Sequence, residues 1–180
     1  MKIIIALFLT INLYADIKQN MFNLYQNKKY TNVCNIGFDN FRSNSKDEEF
    51  VSIYAFACLN SDFIDRLAIP IALLKSSEEA RSNSAYFSVI LMQKKLLYHA
   101  LIDNYNLTSL KLPTTDYVLS KVFNLYSKLK PHDHRAFYLF EDEQDKKLTY
   151  KLYLSIEKNI TKMIIEEFYD TINIKRHVYW

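Results

Sequence analysis

The sequence predicts an α+β protein, with N-terminal antiparallel helical hairpins over residues 16–130 and a C-terminal four-strand antiparallel β-meander within residues 131–180. The 180-residue chain contains one glycine, Gly37, and three prolines, so its helices meet few of the residues that break them. Apolar residues recur at helical spacing in the N-terminal part, and their period changes to two after residue 136. With 49% hydrophobic residues the chain can bury a sizeable core, and disorder is not expected.

The first fifteen residues have the order of a secretory signal peptide. Lys2 provides the basic start, an apolar stretch follows over residues 3–13, and Ala15 is a small residue at the cleavage position. This stretch is shorter than the roughly 20 residues that a membrane-spanning helix needs. The alternative is a buried first helix or an uncleaved anchor. The pattern therefore predicts cleavage after Ala15 and export to the periplasm, with no stable membrane insertion of the mature chain.

Four helices are expected before residue 75. The first two begin near residue 17 and at Tyr30, where apolar residues recur at helical spacing. Ser45–Glu48 has the form of a capping box, so the third helix is expected to begin at Ser45 and, being apolar on most of its circumference, to be the central buried one. Asp62 can cap the fourth helix, over residues 63–74, which Pro70 should kink or restart.

Two further helices are expected before the sheet. Ser76–Glu79 repeats the capping-box pattern, and residues 80–102 then keep helical spacing over one long stretch. A short loop around Pro113 precedes another helix over residues 115–129, which Pro131 should stop.

Four C-terminal segments alternate between apolar and polar residues, as strands do: residues 136–140, 148–157, 160–169 and 172–180. In the second segment, the even-numbered residues from Tyr150 to Ile156 are expected to share one face. Lys158-Asn159 and Asp170-Thr171 are candidates for two-residue hairpin turns. The segments therefore predict a meander, and the alternative is that residues 160–169 form a short helix.

The segment Leu24–Val33 resembles the turn of a tetratricopeptide-like helix pair. In that family an aromatic residue begins the second helix, as Tyr30 does, and a small residue follows three positions later, where this chain has valine instead of alanine. A second pair would place Phe63 in the aromatic position and Arg66 where the small residue stands, and the first-helix glycine is absent from both pairs. The resemblance covers residues 17–75 and implies stacked antiparallel helices with a concave face that binds peptides or partner proteins. The alternative is an ordinary helical bundle.

The two cysteines, Cys34 and Cys58, are expected to form a disulfide, because export places them in an oxidising compartment. If the helices from Tyr30 and Ser45 form an antiparallel hairpin, Lys46 lies at its turn, midway in sequence between the two cysteines. Their sulfur atoms then lie level on adjacent helices, as a disulfide requires. The alternative is two buried thiols that act as small apolar residues.

The composition excludes several classes of function. Phosphate-binding loops, dinucleotide fingerprints and the strained turn of a nucleophilic serine each need several glycines at fixed spacing, and this chain has only Gly37. The formal net charge of +3 is small and the charges are interspersed, so a nucleic-acid partner is not expected. No catalytic motif is present, and we expect neither enzymatic activity nor a cofactor.

The densest cluster of possible metal ligands is His132, Asp133 and His134. A zinc or copper site needs a third or fourth ligand and none is signalled nearby, so the alternative is a polar connection between helix and strand. The acidic run Glu141–Asp145 lacks the glycine and the ligand order of a calcium loop, and it is expected to be a solvated hairpin tip.

These observations favour an exported periplasmic scaffold or adaptor that binds another protein in a cell-envelope assembly, without catalysis. The 14 tyrosines and 12 phenylalanines suit this role, because aromatic side chains supply large contact areas at low entropic cost. The alternative is a periplasmic protein that binds a small ligand or a metal ion near His132 and His134.

Overall fold

The computed structural model describes residues 17–130 and 135–180. The expected signal peptide, residues 1–15, and the candidate metal ligands at 132–134 lie outside the described residues. Helices precede a four-strand antiparallel sheet, so the predicted α+β class with a C-terminal meander is confirmed. The described residues form an N-terminal unit that ends at Ala85 and a C-terminal unit that begins at Tyr86. This boundary lies within a helix, whereas the predicted boundary at residue 130 marks where helices give way to strands.

The N-terminal unit is helical. It contains α1, described over residues 17–26, α2 (Tyr30–Asn40), α3 (Glu48–Asn60), a 3-10 turn (Ile64–Leu67), α4 (Ala68–Leu73) and the first part of α5 (Glu78–Asp103). Seven of the 13 residues of α3 are buried, as expected for a central helix. Pro70 lies in the first turn of α4, where a missing N–H breaks no helical hydrogen bond. The segment predicted as one helix over residues 63–74 is thus divided into a 3-10 turn and a short α-helix that begins at Ala68.

The α2–α3 hairpin is closely packed. Cys34 and Cys58 form a disulfide with their Cα atoms 4.8 Å apart, so the predicted bridge is present. About one turn further along α2, Gly37 faces Tyr54. A methyl group at Gly37 would lie 2.5 Å from Cγ and 2.6 Å from Cβ of Tyr54. The single glycine of the chain thus allows two helices to approach each other closely.

Two predicted helix caps are wrong. Asp47, not Ser45, caps α3, and its carboxylate accepts a hydrogen bond at 3.1 Å from the backbone N–H three residues later. Ser77, not Ser76, caps α5 in the same way, also at 3.1 Å. In both cases an acceptor closer to the helix takes the N-cap position. Asp62 follows α3 with a φ of 62°, and Phe63 occupies the N-cap position of the 3-10 turn.

The C-terminal unit begins with the remainder of α5, so the long helix predicted over residues 80–102 is confirmed. α6 covers Val118–Ser127 and is shorter at both ends than the predicted helix at 115–129. Thr115 remains outside α6, and its N–H donates to Ser120 Oγ at 2.7 Å. Among the helices of the described ranges, none combines the length and apolar character that crossing a membrane requires.

The sheet has the strand order β1-β2-β3-β4. The strands are β1 (Tyr138–Glu141), β2 (Leu148–Glu157), β3 (Ile160–Tyr169) and β4 (Ile172–Tyr179). The predicted bounds of β2 and β3 are confirmed at both ends, and the alternative helix at 160–169 is wrong. Both predicted hairpin turns are present, because Lys158-Asn159 and Asp170-Thr171 have positive φ at each residue, as in a type I′ turn.

One face of the sheet carries Tyr150, Leu152 and Ile165, which are fully buried. The alternation of apolar and polar residues in β2 predicts that Ile156 shares the buried face of Tyr150. Ile156 is instead 75% exposed, because it lies near the β2–β3 turn. The buried face is therefore concentrated in the middle of the strands.

The edge strand β4 contains a bulge. Lys175 pairs with Glu167 and Asn173 pairs with Phe168, so Ile174 between them has no partner in β3. Lys175 and the following arginine also place positive charge on this edge. Bulges and basic side chains both disfavour pairing with a further strand, so the β4 edge is poorly suited to bind an extended peptide.

Candidate protein-binding groove

A groove of about 430 Å³ opens in the N-terminal unit between α1, α3 and the start of α5. Its lining combines apolar side chains with carboxylates: Phe22 and Tyr25 from α1; Glu48, Glu49, Ser52, Ile53 and Phe56 from α3; and Ser77, Glu79 and Ala80 where α5 begins. Glu49, Ile53 and Phe56 are spaced four and three residues apart, so one face of α3 runs along the groove. The glutamates belong to the first turns of α3 and α5.

Two of the three aromatic side chains that line the groove come from α1. Phe22 is 45% exposed. Tyr25 is held by its neighbours, because its ring meets Tyr30 edge-on with the centroids 5.0 Å apart and its hydroxyl accepts a hydrogen bond from Asn60 Nδ2 at 3.2 Å. Burial also raises the pKa of Tyr25, which keeps the hydroxyl protonated. An exposed phenylalanine beside a fixed tyrosine is a surface suited to contact with a partner.

Glu48 joins the start of α3 to the segment that precedes α5. Its Oε1 accepts hydrogen bonds from the N–H groups of Lys75 at 3.0 Å and Ser76 at 2.6 Å, and its Oε2 accepts one from Ser77 N–H at 3.0 Å. These donors, first that of Ser76 and then that of Lys75, lower the pKa of Glu48 to about 2. Glu48 therefore connects two distant segments instead of completing the predicted capping box with Ser45.

The other two carboxylates lie exposed at the rim. Glu49 Oε2 lies 2.9 Å from Lys18 Nζ, and the same ammonium group lies 2.9 Å from Asp47 Oδ2. Glu79 has no hydrogen bond or ion pair through its side chain with any residue that the structure describes. One lysine is thus shared by two carboxylates, while a third carboxylate faces solvent.

Arg66 covers the disulfide in the same unit. Its Nη1 lies 3.4 Å from Cys34 Sγ and donates to Asn35 Oδ1 at 2.7 Å. The guanidinium carbon also lies 4.6 Å and 4.7 Å from the ring centroids of Phe38 and Phe63. Arg66 is the residue at which the second helix pair departs from the tetratricopeptide pattern, and its long side chain has a packing role that spacing alone does not reveal.

In the C-terminal unit, Asp142 is 5% exposed, so the expectation of a solvated tip over residues 141–145 is wrong for this residue. Its carboxylate accepts hydrogen bonds from the Tyr150 hydroxyl at 2.5 Å and from two loop N–H groups at 2.9 and 3.1 Å, and pairs with Lys121 Nζ at 3.2 Å. Burial opposes ionisation, but these donors, that of Tyr150 foremost, hold the pKa of Asp142 well below its usual range. Asp142 therefore organises the β1–β2 loop.

A polar cavity of about 460 Å³ lies beside Asp142, and its lining includes Asp116, Lys121, Asn124 and Gln144. Within residues 17–130 and 135–180, no group of three or more histidine, cysteine, aspartate or glutamate residues is placed to hold a metal ion. The predicted ligands His132, Asp133 and His134 lie outside these ranges, so the metal hypothesis remains a prediction.

Comparison of the chain with protein-family models, curated protein sequences and solved structures gives no match.

Proposed function

We propose that this chain is an exported, non-enzymatic scaffold or adaptor of the cell envelope, which binds a segment of another protein in the groove between α1, α3 and α5. The observation that carries the proposal is the apolar lining of this groove, where the Phe22 ring is 45% exposed. Covering such surface contributes roughly 25 cal/mol for each Å² of apolar area removed from water. A concave apolar surface therefore favours a partner over solvent.

The disulfide supports the proposed compartment. Cys34 and Cys58 are joined, and both side chains are fully buried. Structural disulfides persist mainly in oxidising compartments such as the periplasm. A buried bridge is thus what we expect of a chain that is exported and cleaved after Ala15.

The polar cavity in the C-terminal unit favours a second candidate function, the binding of a small ligand. Its volume of about 460 Å³ lies in the range of small-molecule sites. The metal ion expected near His132 and His134 rests on the sequence alone. Calorimetric titration with zinc tests it: heat that a His132→Ala/His134→Ala variant abolishes would support the site, and the absence of heat would remove it.

Phe22 and Phe38 provide a matched pair for testing the groove, because they are 45% and 41% exposed and only Phe22 belongs to the lining. A photoreactive phenylalanine is introduced at either position in cells that export the protein. We expect position 22 to crosslink to an envelope protein, and position 38 not to give that product. A Phe56→Asp substitution should abolish the product, because it places a charge in the apolar lining.

Far-UV circular dichroism of the purified variants checks that each remains helical. The same product from both positions would show that the crosslink does not report on the groove. If no product forms at position 22, the groove does not bind an envelope protein under those conditions of export, and the proposal is refuted.

A further inference from the structure

The rim of the groove carries an excess of negative charge. Glu48, Glu49 and Glu79 belong to the lining, which contains no lysine or arginine. They lie at one end of the groove, because Glu48 at the start of α3 binds the N–H group of Ser77, the residue before α5. Carboxylates beside an apolar surface favour segments of opposite charge, by both attraction and steering.

The cation nearest to these carboxylates does not neutralise them. Glu48 is held by backbone N–H groups, which carry no net charge. Lys18 is shared between Asp47 and Glu49 at 2.9 Å from each, so two carboxylates meet one ammonium group. Glu79 is exposed and pairs with no residue in the described part of the chain. An approaching cation therefore finds more than one carboxylate available.

Three basic residues lie close in sequence, Lys46, Lys75 and Arg81, but none of them belongs to the lining. Arg81 Nη1 donates to the backbone oxygens of Lys75 and Ser76 at 3.5 and 2.8 Å, so its guanidinium is directed at carbonyl groups. Glu78, exposed beside Glu79, adds a further carboxylate at the start of α5. The local balance of charge stays negative.

We infer that the groove selects a segment in which apolar anchor residues are flanked by lysine or arginine, so that the partner presents a basic amphipathic segment. This inference rests on the proposed function. The anchor residues contact Phe22, Ile53 and Phe56, and the basic residues reach Glu49 and Glu79. Exposed ion pairs contribute little free energy each, so apolar contact supplies most of the affinity and charge decides which segment binds.

Selection from a random library of short peptides displayed on phage tests this inference with the purified, oxidised protein. Counter-selection on the Phe56→Asp variant removes peptides that bind elsewhere. We expect the remaining peptides to be rich in aromatic and aliphatic residues, with more lysine and arginine than aspartate and glutamate. On a Glu49→Gln/Glu79→Gln variant, whose exposed substitutions should leave the fold intact, the basic excess should disappear.

One enriched peptide, made synthetically, gives the quantitative result. We expect it to bind the Glu49→Gln/Glu79→Gln variant about threefold to tenfold more weakly than the unmodified protein at low salt. High salt should reduce this difference, because it screens exposed charges. Equal affinity at low salt would overturn the inference.

The outcomes separate the inference from the proposed function. If no peptide depends on Phe56, the groove binds no peptide segment, and both fail. Groove-dependent peptides without a basic excess, or with an excess that persists on the Glu49→Gln/Glu79→Gln variant, overturn the inference alone. Light scattering gives a further control: a dimer that Phe56→Asp converts to a monomer would assign the groove to a second copy of this chain, and would also overturn the inference.

Discussion

Replacing Gly37 with alanine tests the close approach of α2 and α3. The added methyl group would lie 2.5 Å from Cγ and 2.6 Å from Cβ of Tyr54, well inside van der Waals contact. A rotamer change of Tyr54 moves its ring but not its Cβ, so the helices must separate, by roughly 1 Å to restore contact distances. Overpacking of this kind costs about 1–3 kcal/mol, and the rigid obstacle places Gly37→Ala at the upper end. Alanine regains about 1 kcal/mol through its helix propensity. The expected net loss is about 2 kcal/mol in the free energy of unfolding.

Urea unfolding of the oxidised protein, followed by far-UV circular dichroism, measures this loss. Asn32→Ala is the matched control, because Asn32 is exposed on the same helix and alanine there gains propensity without meeting a neighbour. The control should be as stable as the unmodified protein or slightly more so. A Gly37→Ala variant that equals or exceeds the unmodified protein in stability would refute the reasoning, since helix propensity would then outweigh the contact with Tyr54.

Three further predictions follow from particular contacts. The Cys34–Cys58 bridge joins residues 24 positions apart and so limits the conformational entropy of the unfolded chain. Reducing it should lower the free energy of unfolding, measured by urea titration, by about 3.5 kcal/mol. A loss below about 1 kcal/mol would contradict this entropic explanation. Glu48→Gln should lower the melting temperature at neutral pH but not near pH 2. The pKa of Glu48 falls from 4.5 to about 2 on folding, so its carboxylate stabilises the fold above pH 4.5 and loses this effect as the pH falls toward 2. A difference in melting temperature that does not depend on pH would argue against the three hydrogen bonds. Asp142→Asn should lower the free energy of unfolding by about 1–3 kcal/mol. It should also speed hydrogen exchange of the β1–β2 loop amides more than Tyr150→Phe does, because Asp142 accepts from two of these amides as well as from Tyr150. Unchanged exchange would mean that Asp142 does not organise the loop.

The parts of the fold that could be predicted are those encoded by neighbouring residues. The bounds of β2 and β3 follow from alternation over ten residues each and from turns such as Lys158-Asn159, whose signals are adjacent in sequence. Helix caps were missed by one or two residues. Asp47 and Ser45 are both good acceptors, as are Ser76 and Ser77, and the geometry of the helix start decides between them.

The candidate site could be predicted only in part. The aromatic content leads us to expect an interface, which stays a prediction, and no local pattern reveals that Glu48 binds N–H groups 27 to 29 residues away. An acidic run is normally solvated, and the burial of Asp142 depends on Tyr150 and Lys121, which lie on other elements. The contacts and burial of these charged residues thus depend on partners that are distant in sequence, and residue spacing does not reveal such partners.

The three hydrogen bonds of Glu48 also bear on how fast the proposed partner segment would dock. Because they connect α3 to the start of α5, they set the separation of two groove walls before any segment arrives. The conformational entropy lost on docking then falls mainly on the segment, which alone must become ordered. We therefore expect association in a single kinetic step, with an observed rate that rises linearly with segment concentration and shows no plateau from a slow opening of the groove.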